Sequence, residues 1–477
     1  MFEKLHEECG VFGIRAKSRQ NIAVLTYYAL YALQHRGQES CGIAVNDKGI
    51  IHSHRGVGLV AEVFDERTLV SLGEGFMSVG HTRYSTTGAI SPINAQPLMI
   101  RHIKGAMALA HNGNISNAAI LKSELELNGA IFHTTNDSEV ISYMIIRSRL
   151  TEPSIEQAIE QAMYRLQGAY SLVIMSPRKL IAVRDPQGFR PLCIGRMEDG
   201  STLFASETCA LETLGATFLR DVEPGEIVIV DDNGMRSIKT HCNQGNPALC
   251  VFELIYFARP DSVIDGASVH AARLHAGELL WKEHPVDADV VIGVPDSGLD
   301  AAMGYANASC IPYGIGFVKN RYIGRTFIQP TQGQRDDAVR IKLNTLNETV
   351  RGKRVVLIDD SIVRGTTSGN IVNLLRRAGA TEVHMRVSSP PFMNPCYFGT
   401  DIDSRENLIA CKMTTKEIGE KIGVDSLGYL SVEGVRNIAK TRFGGFCAGC
   451  FSGHYPIDLP PELPTDKFQF ELPIYGE

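Results

Sequence analysis

The sequence predicts two domains in series: an α+β layered domain over residues 9–240, then an α/β domain with a mainly parallel sheet over residues 250–458. Three observations predict this. The first half is built of short apolar runs broken by Gly, Asn and Asp turns, the pattern of antiparallel strands. The second half alternates strand, loop and helix, the pattern of a parallel sheet. The chain has 477 residues, which at roughly 100–200 residues per domain is enough for two or three.

In chain order, strands are expected at Gly42–Val45, Met107–Ala110, Tyr170–Met175, Leu180–Val183 and Glu226–Val230. Helical spacing of apolar residues appears at Ile22–Leu33, Ala118–Leu127, Ser138–Ser148 and Ser154–Leu166. The polar stretch Lys239–Pro247 reads as a linker. Beyond it, helix Ala267–Trp281 leads to strand Val290–Val294, a Pro-Asp-Ser-Gly loop and helix Asp300–Ala308. Strand Val355–Ile358 leads to helix Ser368–Ala378, which stops at Gly379, and then to strand Val383–Val387. Residues 459–477, rich in Pro and acidic residues, read as an extended tail.

Composition narrows the function. Apolar residues make up 44% and charged residues 21%, which suits a globular chain with a large core. The net charge of −6 argues against nucleic-acid binding driven by overall charge, and no nucleic-acid partner is expected. The longest apolar runs, such as Val290–Val294, fall far short of a membrane span, so no membrane partner is expected either. Met1–Glu8 is charged and lacks the apolar stretch of a secretory signal, which makes the expected location cytoplasmic. Eleven scattered cysteines do not form a secreted disulfide framework. Cys41, Cys193, Cys209 and Cys310 lie among apolar or small residues and are expected to be buried hydrophobes.

The most specific motif runs from Arg354 through Val-Val-Leu-Ile to Asp359-Asp360-Ser361, then Arg364-Gly365-Thr366-Thr367-Ser368. A buried strand delivers two carboxylates at its carboxyl end, where α/β sheets bind ligands. The Gly, Thr and Ser that follow open a helix, whose free N–H groups suit a phosphate. Carboxylates for ribose hydroxyls beside amides for a 5′-phosphate make a sugar-phosphate site. The bland alternative is an Asp-rich strand end capping a helix. The loop Gly293-Val294-Pro295-Asp296-Ser297-Gly298 can hold pyrophosphate through its amides, although strand–turn–helix connections of this kind are common. The basic stretch Lys319, Arg321, Arg325, Arg335, Arg340 and Lys342 reads either as a solvated face or as a lid closing over pyrophosphate. The long run resembles the signature of the type I phosphoribosyltransferases. That resemblance implies binding of phosphoribosyl pyrophosphate (PRPP) by Asp359, Asp360, Ser361, Arg364, Gly365, Thr366, Thr367, Lys319 and Arg325. It also implies one Mg²⁺ near Ser297, Asp359 and Asp360.

The first half carries Cys9-Gly10, Gln34-His35-Arg36-Gly37, His81-Thr82-Arg83-Tyr84, His111-Asn112-Gly113 and Thr135-Asn136-Asp137-Ser138. Taken singly each is a turn or a cap; in the last, Asp or Ser is the expected N-cap. Together they resemble the class II glutamine amidotransferases, members of the N-terminal-nucleophile hydrolases. The resemblance implies an αββα sandwich and removal of residues 1–8 as a propeptide. Cys9 is then the nucleophile, with its own α-amine as base. Asn112 and Gly113 would form the oxyanion hole, and Arg83 and Asp137 would grip the glutamine carboxylate and ammonium.

Both halves in one chain are similar to the glutamine phosphoribosylpyrophosphate amidotransferases. This implies amination of PRPP by ammonia passed from glutamine, at the first committed step of purine synthesis. It also implies a homotetramer, feedback inhibition by AMP, GMP or ADP, and a transient contact with the next enzyme of the pathway. Cys447-Ala-Gly-Cys450 is a C-x₂-C knuckle that by itself suits zinc, a redox pair or iron–sulfur equally well. The branch of the family with a short propeptide carries one [4Fe–4S] cluster per subunit, which implies Cys250, Cys396, Cys447 and Cys450 as ligands. Cys242 and Cys411 stay open as alternatives. Two other functions stay open as well. A nucleobase phosphoribosyltransferase with a degenerate first half would release pyrophosphate without glutamine, and a PRPP-sensing regulator would bind without turnover. The complete set Cys9, Arg83, Asn112, Gly113 and Asp137 speaks against both.

Overall fold

The computed structural model describes residues 9–84, 90–320, 343–402, 404–460 and 470. The expected propeptide, the expected lid from Arg321 to Lys342 and nearly all of the expected tail lie outside these residues. Alternation of side chains organises the first half. In the strand Gly10–Gln20, Val11 faces one layer while Phe12, Ile14 and Ala16 face another. That strand lies inside a seven-stranded antiparallel sheet, between Thr202–Ala205 and Gly75–Arg83. A second antiparallel sheet of six strands has Gly105–Ile115 beside Gly168–Met175. The two sheets close on a core that includes Val11, Val79, Ala108, Ala110, Val173 and Val228. Helix Ile22–Ala32 covers the outer face of the first sheet. Helices Ala118–Leu127, Asp137–Thr151 and Ile155–Met163 cover the outer face of the second. The result is an αββα sandwich.

In the second half a four-stranded sheet runs in the order Val290–Gly293, Arg354–Asp359, Glu382–Val387, Ser426–Tyr429, all parallel. Strands Val290–Gly293 and Arg354–Asp359 are buried and rich in Val, Ile and Leu, as a sheet covered on both faces requires. The expected helix from Ala267 instead begins at Val269. Asp265 and Gly266, both with positive φ, turn a two-residue hairpin that pairs Val263–Ile264 with Ala267–Ser268. Ser268 then caps the helix by accepting from the Ala271 N–H. Three further expectations need correction. Glu226 precedes its strand, which runs Ile227–Asp231. Asn136, not Asp137 or Ser138, is the N-cap of helix Asp137–Thr151, accepting from the Glu139 N–H. Cys310 is exposed, because it ends helix Gly298–Ser309 in a left-handed turn that faces solvent. Among the described residues no helix is long and apolar enough to cross a membrane.

Helices Val269–Glu283 and Gly298–Ser309 approach each other through glycine. A Cβ on Gly304 would stand 1.9 Å from the Leu274 carbonyl oxygen, and one on Gly277 2.0 Å from that of Ala301. The second of these helices starts at the Ser297 loop, so the packing sets where that loop sits. Gly304→Ala is therefore expected to destabilise the protein by about 1–3 kcal/mol, the usual range for overpacking a filled contact. Urea denaturation checks it, and an unchanged midpoint contradicts the close helix packing.

Candidate active site

Strand register places Cys9. Gly10 pairs with Thr82, which sets Cys9 at the head of its strand beside Arg83 and Tyr84. Cys9 is buried and its Sγ donates to the Tyr84 carbonyl at 3.3 Å. Asn112 and Gly113 come from the other sheet, and His81 ties the two sheets together: its Nε2 donates to the His111 carbonyl at 3.0 Å. The His111 N–H donates to Gln96 Oε1 at 2.8 Å, so the backbone just before Asn112 is held from both sides. Gly113 has φ +139°, and a Cβ there would meet the Ala169 carbonyl oxygen at 2.2 Å. Any other residue would break the strand at this point. The Asn112 side chain is wholly buried, yet neither its nitrogen nor its oxygen has a partner among the described residues. Leaving a buried amide unpaired costs about 1–3 kcal/mol, which is tolerated where a ligand supplies the missing partner. Asp137 is buried close by, its Oδ2 accepting from the Ile115 N–H at 2.9 Å and its Oδ1 3.7 Å from His111 Nδ1. Arg83 is buried too.

Arg36 lies behind Cys9. Its Nε donates to the Cys9 carbonyl at 3.0 Å. Its terminal nitrogens reach Glu207 at 2.7 Å and Glu253 at 2.7 and 2.9 Å. All three side chains are fully buried. Burial opposes the charge on Arg36, but Glu253 and Glu207 outweigh it and raise the guanidinium pKa above its ordinary value. In the sequence, Gln34–Gly37 reads as a turn, and neither Glu253 nor His81 carries a role of its own. The juxtaposition of His35-Arg36-Gly37 with the Cys9 motif was the only local signal.

In the second half, the Asp359-Asp360 pair emerges from strand Arg354–Asp359, and both residues are buried. Asp360 accepts from Ser297 Oγ through one carboxylate oxygen and from Ser361 Oγ through the other, each at 2.5 Å. Gly293 is in register with Ile358 on neighbouring parallel strands, which brings the Pro295–Gly298 loop and the Asp359–Gly365 loop together at one sheet edge. Lys319 joins from the side, its Nζ 2.5 Å from Asp296. Gly365, with φ +86°, turns the chain into helix Thr366–Arg377. The first-turn N–H groups of Thr366, Thr367 and Ser368 lack intrahelical acceptors, as at any helix start. Arg364 is exposed at this turn. Arg325 lies outside the described residues.

Cys250 and Cys447 pair across two short parallel strands, Ala248–Cys250 and Gly445–Cys447. Cys450 and Cys396 are their electrostatic neighbours, and the Cys450 carbonyl accepts from the Asn394 N–H at 3.0 Å. Burial pushes the Cys447 thiol up to about 12 and raises the Cys250 and Cys450 thiols as well, with the neighbouring thiols adding to each. Cys242 has Glu223 and Glu226 as charged neighbours instead, and Cys411 is exposed, donating to the Met393 carbonyl. Among the described residues no three His, Cys, Asp or Glu side chains are spaced to hold a single metal ion.

Comparison with known proteins matches the two halves to two families. Residues 81–213 match a glutamine amidotransferase domain, and residues 269–389 a phosphoribosyl transferase domain. The amidophosphoribosyltransferase of Synechococcus elongatus is 48% identical over 98% of this chain and 95% of that protein. The Bacillus subtilis glutamine PRPP amidotransferase, solved in complex with ADP and GMP, superposes with a TM-score of 0.88 at 47% identity, covering 96% of this chain and all (100%) of that one. A structure described as the allosteric regulatory enzyme of purine biosynthesis superposes with a TM-score of 0.89 at 47% identity, over 96% and 99% of the two chains.

The His81 clamp makes a prediction about pH. Burial pulls this imidazole down to about 3 against the pull of its bond to the His111 carbonyl, with Arg83 and His111 lowering it further. The unfolded chain takes up a proton near pH 6.5, while the folded imidazole stays neutral until about pH 3. Stability from this group is therefore lost as pH falls through that window, at up to about 1.4 kcal/mol per pH unit. His81→Asn removes the term, so its unfolding free energy is expected to depend less steeply on pH between about 6 and 4.5. Denaturant melts of both proteins across that range check it; parallel curves contradict the assignment.

Proposed function

The chain belongs to the amidophosphoribosyltransferase family, and from that premise we propose how its two halves divide the reaction. The reaction is the glutamine-dependent amination of PRPP to 5-phosphoribosylamine, glutamate and pyrophosphate, in purine biosynthesis. We assign residues 9–240 to glutamine hydrolysis and residues 250–458 to PRPP. Once residues 1–8 are gone, Cys9 has a free α-amine of ordinary pKa near 8, able to take the thiol proton. The thiolate attacks the glutamine side-chain carbonyl, and the oxyanion is held by the Asn112 amide and the Gly113 N–H. Arg83 takes the substrate carboxylate and Asp137 its ammonium. Ammonia leaves, and water hydrolyses the thioester to glutamate.

In the second half the Asp359 and Asp360 carboxylates take the ribose hydroxyls, and the amides and hydroxyls of Ser361–Thr367 take the 5′-phosphate. The Pro295–Gly298 loop with Lys319 takes the pyrophosphate. The nitrogen lone pair of ammonia attacks C1 as the bond to pyrophosphate breaks, and the amine then loses a proton. Ser297 and Asp360 are in direct contact, and with the adjacent Asp359 they suit one Mg²⁺; the ion would neutralise the departing pyrophosphate. The wholly buried Asn112 amide, unpartnered among the described residues and tied to the Cys9 strand through His81, carries the glutaminase assignment.

Four half-buried cysteines from three chain segments support a [4Fe–4S] cluster on Cys250, Cys396, Cys447 and Cys450, of structural role. Likeness to the relative bound to ADP and GMP supports feedback by purine nucleotides. A cytoplasmic homotetramer is part of the same proposal, as the family resemblance implies.

Two experiments test this reading. Cys9→Ala is expected to abolish glutamine-dependent synthesis and keep ammonia-dependent synthesis, whereas Asp359→Asn is expected to lose both. Glutamine use by the Cys9→Ala protein overturns the assignment of the nucleophile. Purified without oxygen, the protein is expected to be brown and to hold iron and inorganic sulfide in equal amounts, and Cys450→Ser is expected to lose both. A colourless, iron-free and fully active preparation rules the cluster out.

A further inference from the structure

We infer that Glu253, a residue of the second half, is a positioning residue for the nucleophile of the first. The inference rests on the reading of Cys9 as that nucleophile and goes beyond it, since nothing in the glutaminase chemistry calls on the second half. An N-terminal residue is tethered covalently on one side only. Cys9 Sγ is held by the Tyr84 carbonyl, and the peptide plane from which the amine and thiol project is held through the Cys9 carbonyl. Arg36 Nε holds it at 3.0 Å. The guanidinium is in turn oriented by Glu253, which accepts from both terminal nitrogens at 2.7 and 2.9 Å, the side-by-side geometry that fixes a planar cation in direction as well as position. Glu207 supplies a single further contact at 2.7 Å. Two of the four bonds that place Arg36 therefore come from across the junction.

Glu253 is itself held. It opens a π-helical turn, Glu253–Phe257, and is fully buried. Arg190 Nη1 approaches the same Oε1 at 3.3 Å, and its Nη2 donates to the Phe398 carbonyl at 2.8 Å. Phe398 follows Cys396 by two residues, and Glu253 follows Cys250 by three. The anchor of the nucleophile is thus built on two of the three segments that bring the thiols together. The second half completes the glutaminase site without touching glutamine.

The test uses the full-length processed enzyme and three assays on one sample: glutamine hydrolysis, glutamine-dependent synthesis and ammonia-dependent synthesis. Glu253→Gln keeps the side-chain volume but turns an amide N–H₂ toward the guanidinium. The kcat for glutamine is expected to fall about tenfold or more with KM within about threefold, because Arg83 and Asp137 still hold the substrate. Ammonia-dependent synthesis is expected to stay within about twofold, which separates mispositioning from loss of fold. If the single variant loses ammonia-dependent synthesis as well, the charge-balanced pair Arg190→Gln/Glu253→Gln, which leaves Arg36 with Glu207, takes its place under the same criteria. A wild-type kcat, or a loss expressed wholly in KM, overturns the inference. Cys9→Ala run alongside keeps the two readings apart: if it still hydrolyses glutamine, the nucleophile assignment fails, and if it is dead while the Glu253 variant is unimpaired, only the positioning role fails.

Discussion

Carboxylates exchanged across the junction between the halves fix how the two halves dock. Glu253 of the second half is taken by Arg36 and Arg190 of the first. Glu207 of the first half accepts from Ser262 Oγ at 2.7 Å and from the Arg259 N–H at 3.0 Å in the second. Arg184 of the first half grips Asp265 of the second through both terminal nitrogens, at 2.7 and 2.9 Å. These side chains are almost wholly out of solvent. Desolvated pairs of this kind add little net stability over apolar contacts, but removing one partner strands the other and costs about 3–5 kcal/mol. A junction made this way is selective for one arrangement. A shifted arrangement would leave several buried charges unmatched at once.

That constraint gives both sites their shape. In the sandwich, two sheets bring Cys9 and Asn112 into one corner, and the His81 bond to the His111 carbonyl holds the corner closed. In the second half, the parallel strands end together, so their loops share Asp360 as a common acceptor for Ser297 and Ser361. In both sites a sheet edge sets the backbone: it presents the Asn112 amide, unpartnered among the described residues, in one and the Asp360 carboxylate, held by two serine hydroxyls, in the other. The loop from Cys396 to Asp401, part of the second half, touches the corner that holds Cys9 and Asn112. Its Tyr397 carbonyl accepts from Asn114 at 3.0 Å, and its Asp401 accepts from Tyr84 Oη at 3.1 Å.

Local chemistry was legible in the sequence; partnership across the chain was not. The run Arg354–Ser368 could be read because strand, carboxylates, turn and helix start are contiguous, and the structure keeps them so. Helix Ala118–Leu127 has the bounds its periodicity predicts, and Ile22–Ala32 ends one residue early. Errors fell where one side chain's local choice decided the outcome. Asn136 outcompeted two equally plausible caps, and an Asp-Gly hairpin delayed a helix to Val269. Cys310 looked buried by composition but ends its helix in a left-handed turn. The Arg36–Glu253 pair spans 217 residues, and nothing in the neighbourhood of either residue announces the other. A buried Glu beside Phe252 and Leu254 resembles a surface residue until its partners are known.

The reaction itself gives a reason for so rigid a junction. Free ammonia is mostly protonated at neutral pH and then has no lone pair to offer, while the developing cation at C1 of PRPP is open to attack by water. Both losses shrink if ammonia is released only into a protected path and only from a site held in register with the acceptor. A flexible tether between two complete enzymes would raise the local concentration of ammonia but would not keep water out. Sharing structural residues does more, because a glutaminase whose nucleophile is oriented from the other half works only while the halves are docked. Buried ion pairs suit that task better than a purely apolar seam: an apolar surface tolerates sliding, whereas the side-by-side bonds of Arg36 to Glu253 and of Arg184 to Asp265 are lost within a small displacement. The same physics that makes these pairs poor sources of stability makes them good at specifying a single docked geometry.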